Sequence, residues 1–495
     1  MNRKKIEIFA ILLATVLCFG TFVDVYAAGK TIGGYKLNTY TSQKGSDVKT
    51  ILDGVYAKDS SYVRTTHDGS TVVNSDFTDK TKTIKYWSGH GNVQGELWGN
   101  NTTAKVTMTG STKFSGGNLE FIFLSACNQL NGDSPNPRSW YAKSMIGASA
   151  VRAICGYHSY APADCDNEVA KEFIKAANTG ESVKSSWIKA NVALADQGWT
   201  NPKNYLVLTH NNNTQYSRFE GFSTTTYTRP DANSTSILRF SSAYPNGTNQ
   251  PYSAPMPIEI DQMKSVDVSK NSELIALDRM VVPNYTIIME EVKADTSLNA
   301  SGEIGHTPLT ITEGEAKEVA MNRLNTTFNE KSSLSTAQFS VNGQFLQQEM
   351  NVEVAPIVMA EVLEDSSQEV EVPVAYTISY KNSFNGIQIA GDRYTTIVDD
   401  DGTKYNSFVW HRVKEINPVK QFEKTPAMNF SEASLLAYDV MESADYSCDC
   451  EDTAYAQLMF VQNGDTNEYR PTWVFESKEH GKIYVDCINH SVVSK

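Results

Sequence analysis

Residues 119–127 read Leu119-Glu120-Phe121-Ile122-Phe123-Leu124-Ser125-Ala126-Cys127. A near-continuous apolar run of this kind is expected of a strand covered on both faces. The pattern repeats outward in both directions. Thr83 to Ser88 has strand character, Ser46 to Tyr56 reads as a short helix with Val48, Ile51, Leu52 and Val55 on one face, and Tyr35 to Thr41 can form a strand. On the other side, Arg138 to Ile146 is helix-like and Ala150 to Tyr157 is a further strand. Asn167 to Ala177 and Glu181 to Ala195 read as helices, and Asn204 to Thr209 as a last strand before the domain closes near residue 222. Strands alternating with helices define an α/β domain over residues 28–222.

Two reactive side chains stand at strand ends. His90 follows Tyr86-Trp87-Ser88-Gly89, and Cys127 ends the quoted run, 37 positions later. In open α/β sheets ligands bind in the crevice beyond the carboxyl ends of the strands, so an imidazole and a thiol delivered there can converge. A thiol attacks an acyl carbon only as thiolate, and an imidazole can both lower its pKa and protonate the leaving amine. Gly89 and Gly91 flank the histidine without side chains, and the N–H groups of Gly91 and Cys127 could hold an oxyanion. Taken singly, each motif has an ordinary structural reading, because an unpaired cysteine commonly behaves as a small buried hydrophobe.

The first residues speak to location. Arg3, Lys4 and Lys5 precede an apolar stretch from Ile6 to Phe22, and Val25-Tyr26-Ala27-Ala28 supplies small residues for cleavage, so residues 1–27 read as a secretory signal peptide and the mature protein as extracellular. Cys18 follows Leu17 rather than a small residue, which argues against a lipoprotein anchor. No later segment has the roughly 18 apolar residues needed to span a bilayer. Charge then divides the chain. Residues 28–255 carry 22 Lys and Arg against 17 Asp and Glu, a net of +5, while residues 256–495 carry 18 against 38, a net of −20. Residues 223–256, rich in Ser, Thr, Asn, Pro and Gly, read as a linker. The acidic half could dock on the basic one within the same molecule, although net charge speaks mainly to solubility and association.

The two motifs together carry a resemblance. Ser88-Gly89-His90-Gly91 followed by Leu124-Ser125-Ala126-Cys127 resembles the caspase-like superfamily of cysteine peptidases, which includes caspases, legumains, gingipains, clostripain and separase, over roughly residues 30–222. It also looks like a group of secreted bacterial proteins of unassigned function. The resemblance implies a caspase-like, mostly parallel sheet between helices, His90 as base and acid, Cys127 as nucleophile, and an oxyanion site from Gly91 and the Cys127 amide. It implies a peptide or protein substrate and requires no cofactor and no metal. Cys127 is followed by Asn128-Gln129-Leu130-Asn131 rather than by a caspase context, and the spacing is shorter than the roughly 50 residues of caspases, so caspase specificity does not carry over. Two other readings stay open: a catalytically silent extracellular binding protein that kept the fold, and amide or acyl-transfer chemistry on a non-peptide substrate.

Other candidates are fewer. Cys155, His158 and Cys165, with Asp164 and Asp166, could be a disulfide or structural group, a pocket lining or a zinc site, though no paired CxxC supports zinc. If Cys127 stays reduced, Cys155 to Cys165 and Cys487 to Cys448 or Cys450 are the plausible bridges. Trp87 and Trp98 could be core, rim or substrate contacts, and His67, His210 and His411 read as ordinary surface or core residues.

The second half has a different rhythm. Thr312-Glu313-Gly314-Glu315 opens a helix with a capping box. Gln368 to Tyr380, Gly386 to Val398 and Lys404 to Val413 are extended runs separated by turn residues. Ser431 to Glu442 is a helix, and Leu458 to Gln462, Thr472 to Glu476 and Ile483 to Ile488 are strands. Tyr455 to Asn489 resembles PepSY-type modules, and Asn385-Gly386-Ile387-Gln388-Ile389-Ala390-Gly391-Asp392 is similar to the strand pair of the propeptide domains of secreted bacterial peptidases. The likeness implies an α+β region over residues 257–420 and a PepSY-like module over 421–495, with binding or inhibition as its role.

Overall fold

The apolar run lies inside a parallel sheet. The computed structural model describes residues 30–36, 46–68, 72–92, 95–98, 105–107, 117–131, 141–142, 144–146, 151–163, 165–199, 201–211, 216–222, 236–242, 256–259, 263, 276–295, 299–328, 338–341, 344–363, 370–419, 427–442, 453–477 and 481–493. The leader, Asp164, Cys448 and Cys450 lie outside the described residues. In chain order come β1 (Thr31–Lys36), α1 (Ser46–Lys58), β2 (Val63–Asp68), α2 (Asn74–Thr78) and β3 (Ile84–Ser88). A small three-stranded sheet follows, made of β4 (His90–Gly91), β5 (Glu96–Trp98) and β6 (Lys105–Thr107). The N-terminal part is completed by β7 (Phe121–Ser125), β8 (Ala153–Tyr157), α3 (Asp166–Asn178), α4 (Val183–Asp196), β9 (Tyr205–His210) and β10 (Ser236–Ser242).

Parallel pairing joins β2 to β1, β1 to β3, β3 to β7 and β7 to β8, and β9 and β10 add antiparallel at the far side. The continuous apolar character of β7 has a direct cause. Phe121 and Phe123 pack into one buried cluster with Ile51, Val55 and Phe173, while Ile122 and Leu124 pack into another with Trp87 and Leu130. Both faces of the strand are covered, so the period-2 polar alternation of a one-sided sheet is lost. The first strand sits earlier than the sequence indicates, at Thr31–Lys36 rather than from Tyr35.

The boundary region departs from expectation. Residues 236–242 of the expected linker form β10, buried over most of its length and paired with β9 on one side and with the long C-terminal strand β14 (Gln344–Leu363) on the other. One sheet therefore runs from the basic half into the acidic half. Helix α4 shows the same fusion, being buried along all of Val183–Asp196. Its lysines reach across the boundary: Lys184 Nζ donates to the Ile304 carbonyl at 2.6 Å, and Lys189 Nζ to that of Gly302 at 2.8 Å. Glu303 accepts from the Ser182 N–H at 2.6 Å and from the Ser185 hydroxyl at 2.7 Å, which places a carboxylate at the positive N-terminus of α4. Burial pulls the Lys184 amine down to about 8 even though Glu303 and Asp399 favour its charge.

The remaining elements are β11 (Met256–Glu259), β12 (Tyr285–Glu291), α5 (Glu313–Thr327), β13 (Gln338–Val341), β15 (Val372–Phe384), β16 (Ile387–Asp399), β17 (Gly402–Val409) and β18 (His411–Pro418). After them come α6 (Phe430–Glu442), β19 (Thr453–Gln462), β20 (Glu468–Ser477), β21 (Gly481–Asp486) and β22 (Ser491–Val493). The capping box forms: Thr312 Oγ1 accepts from Glu315 N–H at 3.3 Å, and Glu315 Oε2 from Thr312 N–H at 2.8 Å. Asn385 and Gly386 both have positive φ, 51° and 78°, as a two-residue turn between β15 and β16 requires. A helix on an antiparallel sheet occurs twice, with α5 against β15 and β16 and α6 against β20 and β21. The architecture is mixed α/β, with antiparallel pairing dominant in the second half. Among the described residues no helix is long and apolar enough to cross a membrane.

A buried polar chain ties the C-terminal strands together. Gln348 donates to Asn382 Oδ1 at 2.9 Å, Asn382 donates to Asp392 Oδ2 at 2.8 Å, and His411 Nδ1 lies 2.6 Å from Asp392 Oδ1. Burial opposes the charge on His411, but the bond to Asp392 and the nearby Glu291 prevail and hold the imidazole above its ordinary 6.5. A histidine raised on folding contributes stability that is complete below the unfolded pKa and is lost as pH rises through the folded one. As pH rises from below 6.5, thermal unfolding should therefore show the full chain losing stability relative to His411→Gln. Equal pH slopes for the two proteins would remove the His411–Asp392 charge pair from this account.

Candidate active site

The two motif residues leave the sheet side by side. β3 and β7 are parallel neighbours whose last paired residues are Ser88 and Ser125, and the Gly89 N–H donates to the Ser125 carbonyl at 3.1 Å. His90 and Cys127 each stand two positions beyond those residues. After Ser88 the chain turns into the β4 hairpin, where His90 lies opposite Trp98 and Gly91 opposite Leu97. The Asn92 N–H donates to the Glu96 carbonyl at 3.2 Å, so by antiparallel alternation the Gly91–Leu97 pair is not hydrogen-bonded and the Gly91 N–H points away from β5.

Gly91 is where the two motifs touch. A Cβ placed on it would lie 2.4 Å from Gln129 Nε2 and 2.5 Å from the backbone oxygen of Cys127. Only a residue without a side chain lets these backbones approach so closely. The turn that carries Cys127 is pinned from the other side by β8: the Asn128 N–H donates to the Ser159 carbonyl at 2.7 Å, and that of Leu130 to the Tyr157 carbonyl at 3.0 Å. Asn128 has a φ of 57°, a left-handed geometry that asparagine accepts more readily than most residues. Cys127 is unbridged and half-buried, packed against the core, and His90 is half-buried.

Two contributors carried little signal in the sequence. Asp47, in the first turn of α1, is fully buried. Burial pushes its carboxyl up, and Ser88, the Val48 N–H and Tyr86 only partly offset this, with no partner of ordinary hydrogen-bond geometry among the described residues. It thus faces the strand end that leads into His90. Gln129 is also fully buried, between the Cys127 turn and the β4 hairpin. An Asp in a first helical turn reads as ordinary macrodipole complementarity, and a lone Gln two positions after a Cys has no motif, so neither stood out.

The other candidates separate. Trp98 is at the rim beside His90, with its indole N–H on Glu96 Oε2 at 2.9 Å, whereas Trp87 is fully buried core. Cys155 and Cys165 are both buried and unbridged, which corrects the expected disulfide. Cys155 lies within β8, level with Phe123 on one side and Val207 on the other, so its sulfur is held in the core, and burial drives its thiol pKa well up. Cys487 is likewise buried and free. Among the described residues no group of three His, Cys, Asp or Glu side chains is arranged to hold a metal ion. His67 stacks on Tyr35, His210 is buried in β9, and His411 belongs to the polar chain on Asp392.

A family described as a domain of unknown function, DUF6345, matches residues 46–241, from the start of α1 into β10. No curated protein matches the chain. Among solved structures, an uncharacterized protein from Eubacterium rectale is similar over 42% of this chain and 86% of its own, at 10% identity and a TM-score of 0.19.

Proposed function

We propose that the chain is an exported, caspase-like cysteine hydrolase that cleaves peptide bonds through Cys127 and His90. The observation that carries this reading is the contact of Gly91 with the Cys127 carbonyl, at the carboxyl ends of two adjacent parallel strands. In the proposed reaction His90 takes the Cys127 proton and the thiolate attacks the substrate carbonyl carbon. The N–H groups of Gly91 and Cys127 receive the oxyanion, and the imidazolium then protonates the departing amine. Water, activated by the now neutral His90, hydrolyses the thioester and restores the thiol. The half-buried positions of both residues suit a thiol that must be reached by substrate yet be partly shielded from water.

The helix-on-sheet units at α5 and α6 support the PepSY-like reading of the second half. Its role is support of the site-bearing domain rather than release from it, because a detachable inhibitor would have to break the β10–β14 pairing. Export rests on the leader pattern alone, and the N-terminal sequence of protein recovered from culture medium should begin at Ala28 or Gly29.

The test of the reaction uses the mature chain. Iodoacetamide should label Cys127 below pH 7 faster than it labels a simple thiol, and that excess should vanish in His90→Ala. Incubation with an unfolded protein should generate new peptide N-termini, and prior labelling of Cys127 should stop their appearance. An ordinary thiol rate together with cleavage indifferent to labelling would leave a silent binding protein as the better reading.

A further inference from the structure

We infer that Gln129 is the positioning residue that sets the separation between His90 and Cys127, an assignment that rests on the reading of these two as a catalytic pair. Its side-chain amide is completely buried. Burying an amide is costly unless its hydrogen bonds are made, so the partners it takes are informative. Nε2 faces three backbone carbonyls from the two segments that carry the pair: Cys127 at 3.3 Å, Asn92 at 3.4 Å and Glu96 at 3.0 Å. Oε1 accepts from the Tyr141 hydroxyl at 3.1 Å, and Tyr141 is itself fully buried, which fixes which end of the amide faces the carbonyls.

The arrangement is asymmetric in a useful way. The Cys127 turn is fastened to β8 through Asn128 and Leu130, independently of the histidine. The β4 hairpin is fastened to its own small sheet. Gln129 bridges the two through polar contacts, beside the Gly89 N–H on the Ser125 carbonyl. Gly91 lies directly against the same Nε2, so the amide also fills the space a side chain would take. Removing the amide donor leaves the partly buried carbonyls of Cys127 and Asn92 close together without the N–H that lay between them, and carbonyl oxygens repel. The segments then separate, and a shift of under an ångström is enough to take an imidazole out of hydrogen-bond reach of a thiol. Gln129 touches no reacting atom in this scheme; it acts through the two residues it spaces.

The experiment is the pH profile of Cys127 alkylation in the full mature chain, for the parent, Gln129→Leu, Tyr141→Phe and His90→Ala, with circular dichroism as the check of folding. The parent should show a limb of elevated reactivity below pH 7. Gln129→Leu should lose it by about tenfold or more, one pKa unit's worth, converging on His90→Ala. Tyr141→Phe, which only frees the amide to rotate, should lie between. Retention of the parent profile in folded Gln129→Leu overturns the assignment, and if that variant does not fold, retention in Tyr141→Phe does so. A parent without the limb sinks the catalytic reading itself, whereas a parent with the limb and unchanged variants sinks only the role of Gln129.

Discussion

Replacing Gly91 with alanine is expected to lower the proposed Cys127-dependent peptide hydrolysis by about 100-fold while leaving the fold in place. The backbone of Gly91 is not in the left-handed region, so alanine brings no conformational penalty and the effect is steric alone. The added methyl would meet two atoms at distances real Cβ atoms do not reach, one of them the main-chain oxygen of Cys127. A flexible side-chain tip could swing aside, but Gln129 is held by four partners and the carbonyl belongs to a turn bonded to β8. What gives way is the spacing between hairpin and turn. An attacking sulfur, its base and the oxyanion donors must be aligned together, so a displacement of about 1 Å is worth about two orders of magnitude. The hairpin packs few apolar groups, chiefly Leu97 and Val106, so thermal stability should change little. Steady-state kcat/KM and the melting curve, measured side by side, decide the matter: full activity in folded Gly91→Ala would mean that the two motifs do not work as one site.

The same contact marks the limit of what could be read from the chain. Strand β7 was legible because burial on both faces writes itself as a nearly unbroken apolar sequence, and β3 because Ile84, Tyr86 and Trp87 are strand formers even though Lys85 interrupts them. Helix α5 was legible because its capping box is a local four-residue pattern. Strand β10 was not, since Ser236, Arg239, Ser241 and Ser242 make it look polar. Arg239 is nevertheless buried, satisfied by Glu371 at 2.6 Å and Ser241 at 3.1 Å, and the first of these partners is 132 positions away. The β4 to β6 hairpin is made of strands of two or three residues, too short for any period to register. Gln129 and Asp47 were hidden for a related reason. Their importance lies in which backbone segments they face, and sequence spacing does not encode a contact that only the assembled sheet creates.

Asp196→Ala is expected to destabilise the whole molecule by about 3–5 kcal/mol, because it removes one partner of a buried ion pair and strands the other. Asp196 is the last residue of α4, and its Oδ2 lies 2.5 Å from Arg393 Nε on β16. Thr395 also donates to its carboxylate, and Ser379 of β15 does so at 3.3 Å. The helix belongs to the site-bearing half and the three partners to the acidic half. Burial pushes the Asp196 carboxyl up, and the Arg393 charge and the Thr395 hydroxyl offset this only in part. The pair is therefore costly to form as well as costly to break, and Asp196→Leu combined with Arg393→Leu should recover most of the loss, leaving Ser379 and Thr395 bonded to each other at 2.7 Å. Urea unfolding followed by tryptophan fluorescence should show one transition in every variant, since Trp187 on α4 and Trp410 beside β17 report on the two halves. A loss below about 1 kcal/mol, the range of an exposed pair, would show that the carboxylate is better solvated than its burial implies. Two separated transitions would show that the β10–β14 seam does not couple the halves, and only in that case could the acidic region lift away from the His90–Cys127 site as an inhibitor must.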